Sequence, residues 1–187
     1  MQYSALLPKL AAYKRIIVTG PQRSGTSIAT KIIASNLGLE YVHERKFGID
    51  KVHDFFTFLD ANARFVVHAP AMSSVVHYVR DCAVVFMRRP FVEIHASETR
   101  IGWQERFRKL EYQRYFCPGG PQEPLSIAEL KYAAWEQIQK PALCERAFEL
   151  DYSSLASHPL WVDKEERATF TNWQTAKDEE APMDYRI

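Results

Sequence analysis

Short apolar runs alternate with stretches of helical periodicity over most of the chain. Three runs rich in β-branched and aromatic residues have the length of buried strands, and they lie at 15–19, 64–68 and 83–87. Each run stops at a turn that contains proline, which cannot extend a sheet ladder. From Thr26, apolar residues recur at helical spacing, and Gly38 is placed to end that helix in a left-handed cap. The pattern predicts strands separated by helices.

Weaker signals complete the predicted elements. Short strands are predicted at 39–42 and 148–152, and helices at 52–59, 73–80, 91–101 and 104–115. Ser126 and Glu129 form a capping-box pattern that starts a further helix, and Pro141 interrupts or restarts it. Prolines and glycines at 116–124 predict a loop. Because parallel strands need crossover connections, this order predicts an α/β fold with a mainly parallel sheet flanked by helices.

The composition and the net charge limit the domain count, the partners and the location that are expected of this protein. With 187 residues, 47% of them hydrophobic, the chain is expected to form a single domain over 1–187. A formal net charge of +1 provides no global field, so neither nucleic acid nor membrane is expected as a partner. No apolar stretch approaches the roughly 20 residues of a membrane span and no signal cleavage site is evident, so a cytoplasmic location is expected. Three cysteines without metal-ligand spacing are expected to be reduced thiols.

The loop after the first predicted strand has the composition of a phosphate-binding loop. Four residues separate Gly20 from Gly25, and Thr26 and Ser27 follow, which matches the P-loop pattern except that Thr26 stands in the lysine position. Backbone amides and the positive end of the following helix dipole would hold an anion there. Arg23, inside the loop, adds a cation with a forked set of donors.

This loop resembles a motif of a known family. Its sequence Arg-Ser-Gly-Thr-Ser at 23–27 is similar to the 5′-phosphosulfate loop of sulfotransferases that use 3′-phosphoadenosine 5′-phosphosulfate (PAPS). The resemblance implies a P-loop nucleoside-triphosphate-hydrolase-like (sulfotransferase) architecture, with PAPS as donor, PAP as its product and no required metal. It implies that the donor's 5′ end is bound by Gly20, Gln22, Arg23, Ser24, Gly25, Thr26 and Ser27. Arg23 is also expected to stabilise the charge that develops on the leaving group.

A second stretch resembles the family's 3′-phosphate motif, in which a strand ends in Arg-x-Pro and a serine follows one helix later. Here the strand at 83–87 runs into Arg88, Arg89 and Pro90, and Ser97 follows. A spacing of eight residues pairs Arg89 with Ser97, whereas the arginine two residues before the proline is Arg88. Both arginines are therefore candidates for the 3′-phosphate.

The resemblance also implies a general base for the acceptor proton. His68 closes a predicted strand ahead of Ala69 and Pro70, similar to the His-Leu-Pro that supplies the base in cytosolic sulfotransferases. Glu44 competes for this role, together with its neighbour His43, because another branch of the family uses a glutamate downstream of the loop helix. An ordinary histidine pKa of about 6.5 suits proton transfer at neutral pH.

Departures from the family pattern leave other functions open. Ile28 stands where the family has an adenine-stacking tryptophan, and the family's Arg-Lys-Gly segment is absent, with Arg167 and Trp173 in a comparable region. The acceptor is expected to offer a hydroxyl or an amine, and a homodimer is left open because another subunit would complete a reduced acceptor pocket. The alternatives are a P-loop small-molecule kinase or other phosphotransferase, and a catalytically inactive nucleotide-binding protein.

Overall fold

Five parallel strands form the centre of the computed structural model, which describes residues 1–46, 52–100 and 126–162. The strands are β1 (Arg15–Thr19), β2 (Tyr41–His43), β3 (Phe65–His68), β4 (Ala83–Arg88) and β5 (Ala147–Asp151). Their order across the sheet is β2-β3-β1-β4-β5, and every neighbouring pair is parallel. The strand before the glycine-rich loop therefore lies in the middle of the sheet.

Helices connect the strands and cover both faces of the sheet. They are α1 (Tyr3–Leu10), α2 (Thr26–Leu37), α3 (Val52–Ala61), α4 (Phe91–Arg100), α5 (Ile127–Ala134), α6 (Lys140–Leu143) and α7 (Pro159–Val162). A π-helical turn, Trp135–Gln139, joins α5 to α6. Short 3₁₀ turns occur at Glu44–Lys46, Ala71–Ser74, Val76–Tyr78, Cys144–Arg146 and Tyr152–Leu155.

The apolar pattern of the strands explains why helices pack on both sides. Side chains alternate along a strand, so Ile16 and Val18 join one buried cluster while Ile17 joins the other. The first cluster contains the buried faces of α1 and α2, and the second contains α3 and the Trp135 region. A parallel sheet buried on both faces with a glycine-rich loop after its central strand is a P-loop nucleoside-triphosphate-hydrolase-like α/β architecture, as predicted.

Most predicted elements are present, with shifted ends. The strands at 15–19, 64–68 and 83–87 and the α2 helix are confirmed, and Gly38 ends α2 in the left-handed conformation. The capping box is confirmed as well, because the Ser126 hydroxyl accepts from the Glu129 amide at 3.2 Å and the Glu129 carboxylate accepts from the Ser126 amide at 2.6 Å. The helix predicted at 104–115 and the loop predicted at 116–124 lie outside the described residues.

The prediction of one helix over 73–80 is wrong. Two 3₁₀ turns occupy this stretch, Ala71–Ser74 and Val76–Tyr78. Valines restrict χ1 and disfavour the helix interior, and the tighter turns allow Val76 and Val79 to be buried together below the sheet. The α1 helix is absent from the predicted elements, although Tyr3, Leu6 and Leu10 recur at helical spacing and are buried.

Two further expectations concern the membrane and the cysteines. None of the helices within 1–46, 52–100 and 126–162 has the length and apolar content needed to cross a bilayer. Cys82 and Cys144 carry free thiols, and Cys117 lies outside the described residues.

The conformation at Gly25 yields a matched pair of predictions. Gly25 has φ of +91°, and an added Cβ would lie 2.4 Å from Cδ2 of Tyr152, whereas Gly38 has φ of +59° and open space around it. Gly25→Ala is expected to lower the free energy of unfolding by about 3 kcal/mol, from backbone strain plus overpacking. Gly38→Ala, with the strain alone, is expected to cost about 1 kcal/mol. Urea unfolding of both variants measures the difference, and equal losses would contradict the packing of Tyr152 on the loop.

Candidate functional site

The carboxyl ends of β1, β3 and β4 meet at one edge of the sheet. Val18 of β1 is in register with His68 of β3, and Thr19 is in register with Phe86 of β4. Two hydrogen bonds join the end of β1 to Ala69, the residue after β3. The Ala69 amide donates to the Val18 carbonyl at 2.9 Å, and the Thr19 hydroxyl donates to the Ala69 carbonyl at 3.0 Å. Ligands of parallel α/β sheets bind at such an edge, where neighbouring strands continue in different directions.

The loop from Gly20 to Gly25 is held in a tight turn with strained backbone. Positive φ angles occur at Gly20, Arg23 and Gly25, with 64° at Arg23, a conformation that L residues rarely adopt. The buried Ser24 hydroxyl donates to the Pro21 carbonyl at 2.6 Å and closes the turn from inside. No side chain caps the start of α2 at Gly25, so the first-turn amides, including those of Thr26 and Ser27, lack the usual side-chain acceptor.

Thr26 and His68 lie in contact where the loop meets β3. The Thr26 Oγ1 is 3.0 Å from the His68 Nε2, and both side chains are buried. The direction of this hydrogen bond depends on the histidine tautomer. The His68 ring also packs against the ring of His43 at the end of β2, and the two ring centroids are 4.6 Å apart. Thus the residue in the lysine position of the P-loop pattern is paired with the predicted base.

Arg23, Arg89 and Ser97 come together on the other side of the loop. The Arg23 Nε donates to the Ser97 hydroxyl at 3.1 Å, and the Arg89 Nη1 donates to the Arg23 carbonyl at 2.7 Å. Arg89 also pairs with Glu93 at 3.0 Å and lies 4.1 Å from the ring centroid of Tyr152. Since Tyr152 packs on Gly25, this cluster is fixed directly to the loop.

Arg88 makes different contacts from its neighbour. Its guanidinium donates to both carboxylate oxygens of Glu149, at 3.0 and 3.2 Å, and pairs with Glu136. Burial raises the pKa of Glu149, but hydrogen bonds from Lys140, Trp135 and Arg88 outweigh that effect and hold the pKa at about 2. In this arrangement Arg88 joins β4 to β5 and to the π-helical turn after α5, and it is Arg89 that contacts the loop.

Glu44 is buried at the carboxyl end of β2. Its Oε2 accepts from the backbone amide of Ala71 at 2.8 Å, which holds the start of the 3₁₀ turn after β3. The two candidate bases therefore have different positions, since His68 contacts the loop helix while Glu44 contacts the turn beyond β3.

Lys131 is a residue of this site that the sequence analysis missed. It lies on α5 with only 1% of its surface exposed, and its Nζ donates to the Gln22 Oε1 at 2.5 Å and to the Pro70 carbonyl at 2.8 Å. A signal for it exists in the sequence, because Lys131 shares the helical spacing of Ile127 and Ala134 and so lies on the buried face. A lysine on an apolar face has to find acceptors inside the protein.

Glu98 adds a carboxylate to the same region. Burial raises the pKa of the Glu98 carboxyl, and Arg23 and Lys131 are among the groups that oppose the rise. Glu98 also lies 3.3 Å from His95 across one turn of α4. Within the described residues, no group of three or more histidine, cysteine or acidic side chains is arranged to hold a metal ion.

Comparisons with known proteins found one distant likeness. No family model and no curated protein matches the chain. Among solved structures, shikimate kinase from Acinetobacter baumannii in complex with shikimate is similar, with a TM-score of 0.41 and 14% sequence identity over 93% of this chain and 96% of that chain. A likeness this distant says nothing about the substrate of this chain.

Substitutions of the two adjacent arginines are expected to have different effects, with Arg88 mattering more for stability and Arg89 more for ligand binding. Arg88→Ala leaves the partly buried Glu149 without its bidentate partner, so it is expected to lower the free energy of unfolding by about 2 kcal/mol. Arg89→Ala is expected to cost less than about 1 kcal/mol and, under the function proposed below, to weaken binding of PAP about tenfold or more. Urea unfolding and calorimetric titration measure both quantities, and the reverse assignment would show that Arg88 is the ligand-binding arginine.

Proposed function

We propose that this protein transfers a sulfuryl group from PAPS to a hydroxyl or amine of an acceptor. The observation that carries the proposal is the cluster of Arg23, Arg89 and Ser97 beside a glycine-rich loop that has threonine in the lysine position. Such a site offers two neighbouring places for anions, the loop amides and the arginine cluster.

Two anion subsites suit a donor that is charged at both ends of its ribose. The uncapped amides at the start of α2, with Gly20, Gln22 and the residues of 23–27, would bind the 5′ end. The guanidinium of Arg89 and the hydroxyl of Ser97 would bind the 3′-phosphate, a group that ATP does not carry. The second subsite would therefore select PAPS against ATP, and this scheme requires no metal.

When bound, PAPS supplies an activated SO3 group whose bond to the phosphate oxygen breaks as the acceptor's bond to sulfur forms. Arg23 and the loop amides would stabilise the negative charge that remains on PAP, where fixed donors in a water-poor site are most effective. His68 is proposed to take the acceptor's proton. Its contact with Thr26 holds the imidazole at the loop, whereas the Glu44 carboxylate already holds a backbone amide.

A phosphotransferase is the second candidate, because the site also offers what an ATP-dependent enzyme needs, a cation near the loop and a hydroxyl for magnesium. The Lys131 ammonium lies against Gln22 of the loop, so a cation is available to a nucleoside triphosphate although the loop itself has no lysine. Ser27 also occupies the position at which P-loop enzymes hold magnesium with a hydroxyl. ATP with magnesium would then replace PAPS as the donor.

Thermal unfolding with each donor-site ligand tests the proposal. PAP at about 100 times its dissociation constant is expected to stabilise the fold by about 2.7 kcal/mol, and ATP with magnesium much less. Arg23→Ala is expected to remove the PAP shift. The control is Arg80→Ala, which changes an exposed arginine before β4, at the opposite end of the sheet, and is expected to retain the shift.

The possible outcomes separate the candidate functions. A shift with ATP and magnesium but not with PAP would overturn the sulfotransferase proposal in favour of the phosphotransferase. A PAP shift together with transfer of labelled sulfate from PAPS to a panel of hydroxyl and amine acceptors would support it. PAP binding with no transfer to any acceptor in the panel would instead support a nucleotide-binding protein without turnover.

A further inference from the structure

We propose that Lys131 supplies, from α5, the positive charge that the glycine-rich loop lacks at Thr26, and that it orients Gln22 to donate to the bound anion. The inference rests on the proposed use of this loop as an anion site, and it assigns Lys131 as a positioning residue. It holds for either donor, because both PAPS and ATP present phosphate oxygens to the loop.

The burial of Lys131 is the first argument. Removing an ammonium from water costs several kcal/mol, and a lysine is almost never fully buried unless its charge is paired or hydrogen-bonded. Lys131 lies on the apolar face of α5, among Ile127, Leu130 and Ala134, with 1% of its surface exposed. A charge kept in that position has a function that an apolar residue would not provide.

The acceptors of Lys131 are the second argument. Its Nζ bridges Gln22, in the loop after β1, and Pro70, in the turn after β3. Arg23 lies in the first of these connections and His68 is the last residue of β3, directly before the second, and these are the residues to which we assign charge stabilisation and proton transfer. A single rigid helix thus ties together the two loops whose separation sets the geometry of the site.

The Lys131 ammonium also determines the orientation of the Gln22 amide. An ammonium only donates hydrogen bonds, so the Gln22 Oε1 faces Lys131 at 2.5 Å and the NH2 end of the amide is left to donate elsewhere. Gln22 is buried at the loop, where a bound anion would accept from that NH2 group. Without Lys131, the amide would lose the partner that fixes which end points to the ligand.

Charge at this depth acts strongly on a bound anion. The effective dielectric constant around buried groups is far lower than that of water, and screening by salt is weaker there. Arg23, by contrast, is exposed at the loop surface. Glu98 is the nearby carboxylate whose ionisation responds to both Arg23 and Lys131, and a bound anion would compete with it for these cations.

The test compares Lys131→Met and Lys131→Arg with the wild type, using PAP and inorganic pyrophosphate as probes. Lys131→Met preserves volume but removes the charge and leaves the Gln22 Oε1 and the Pro70 carbonyl without this donor, so it is expected to lower the melting temperature slightly and to weaken binding of both probes about tenfold or more. Lys131→Arg is expected to recover part of the loss. Lys14→Met, which changes an exposed lysine at the opposite end of β1, is the control and is expected to bind both probes as the wild type does.

The variant Gln22→Met separates the effect of Lys131 on anion binding from its effect on the stability of the fold. If Lys131 acts through Gln22, the two substitutions together are expected to weaken binding by less than the product of their separate effects. A folded Lys131→Met variant with wild-type affinity for both probes would overturn the inference. If Lys131→Met does not fold, wild-type affinity in Gln22→Met overturns it, and a loss of about tenfold supports it.

The two probes also separate this inference from the proposed function. If the wild type binds pyrophosphate but not PAP, the sulfotransferase proposal fails, and the pyrophosphate data alone decide the role of Lys131. If the wild type binds neither probe, the loop is not an anion site and both proposals are overturned.

Discussion

The parallel pairing of β1 with β3 on one side and with β4 on the other is the constraint on which the site depends. Because all three strands run the same way, their carboxyl ends deliver the glycine-rich loop, His68 and Arg89 to one edge of the sheet. The side chains of β1 are apolar on both faces, as expected for a strand in the middle of a parallel sheet that helices cover on each side. The chemistry of the loop is therefore positioned by the packing of the core.

The positive charges around the loop come from separate elements, and under the proposed function they would replace the lysine that the loop lacks. Arg23 belongs to the loop, Arg89 follows β4 and Lys131 belongs to α5. Each is held by a specific acceptor, so the positive charge is present before any ligand binds and little reorganisation is needed when one arrives. Arg88 and Glu149 hold the neighbouring end of β4 against β5, which keeps the Arg89 backbone in place.

The clear pattern of apolar residues made the elements around the loop predictable from the sequence. The strands at 15–19 and 83–87 are continuous apolar runs, and the spacing of apolar residues in α2 leads directly to Gly38 as its end. The proximity of the loop, His68 and the arginine pair followed from the general rule that parallel strand ends share one edge. The helix at 73–80 could not be predicted correctly, because burial of its valines decided the local conformation.

Contacts between elements that are distant in the chain were harder to predict from the sequence. Side chains point to opposite sides at successive extended positions, so Arg88 and Arg89 diverge, but their partners depend on β5 lying next to β4. A lysine at the position of Lys131 is compatible with a side chain that extends to solvent along an apolar face. Only the packing of α5 against the two loops shows that its ammonium is enclosed. The roles given to the site residues stay predictions.

Backbone amide NMR spectra of the protein titrated with PAP test the central claim, that the strand ends converge on an anion-binding loop, most directly. The largest shifts are expected on the amides of Ser24, Gly25, Thr26 and Ser27, with a smaller set around Ser97. A cleft at the opposite end of the sheet is lined by Lys14, Asn36 and Arg64, among others, and shifts confined to it would contradict this claim, as would a spectrum that PAP leaves unchanged.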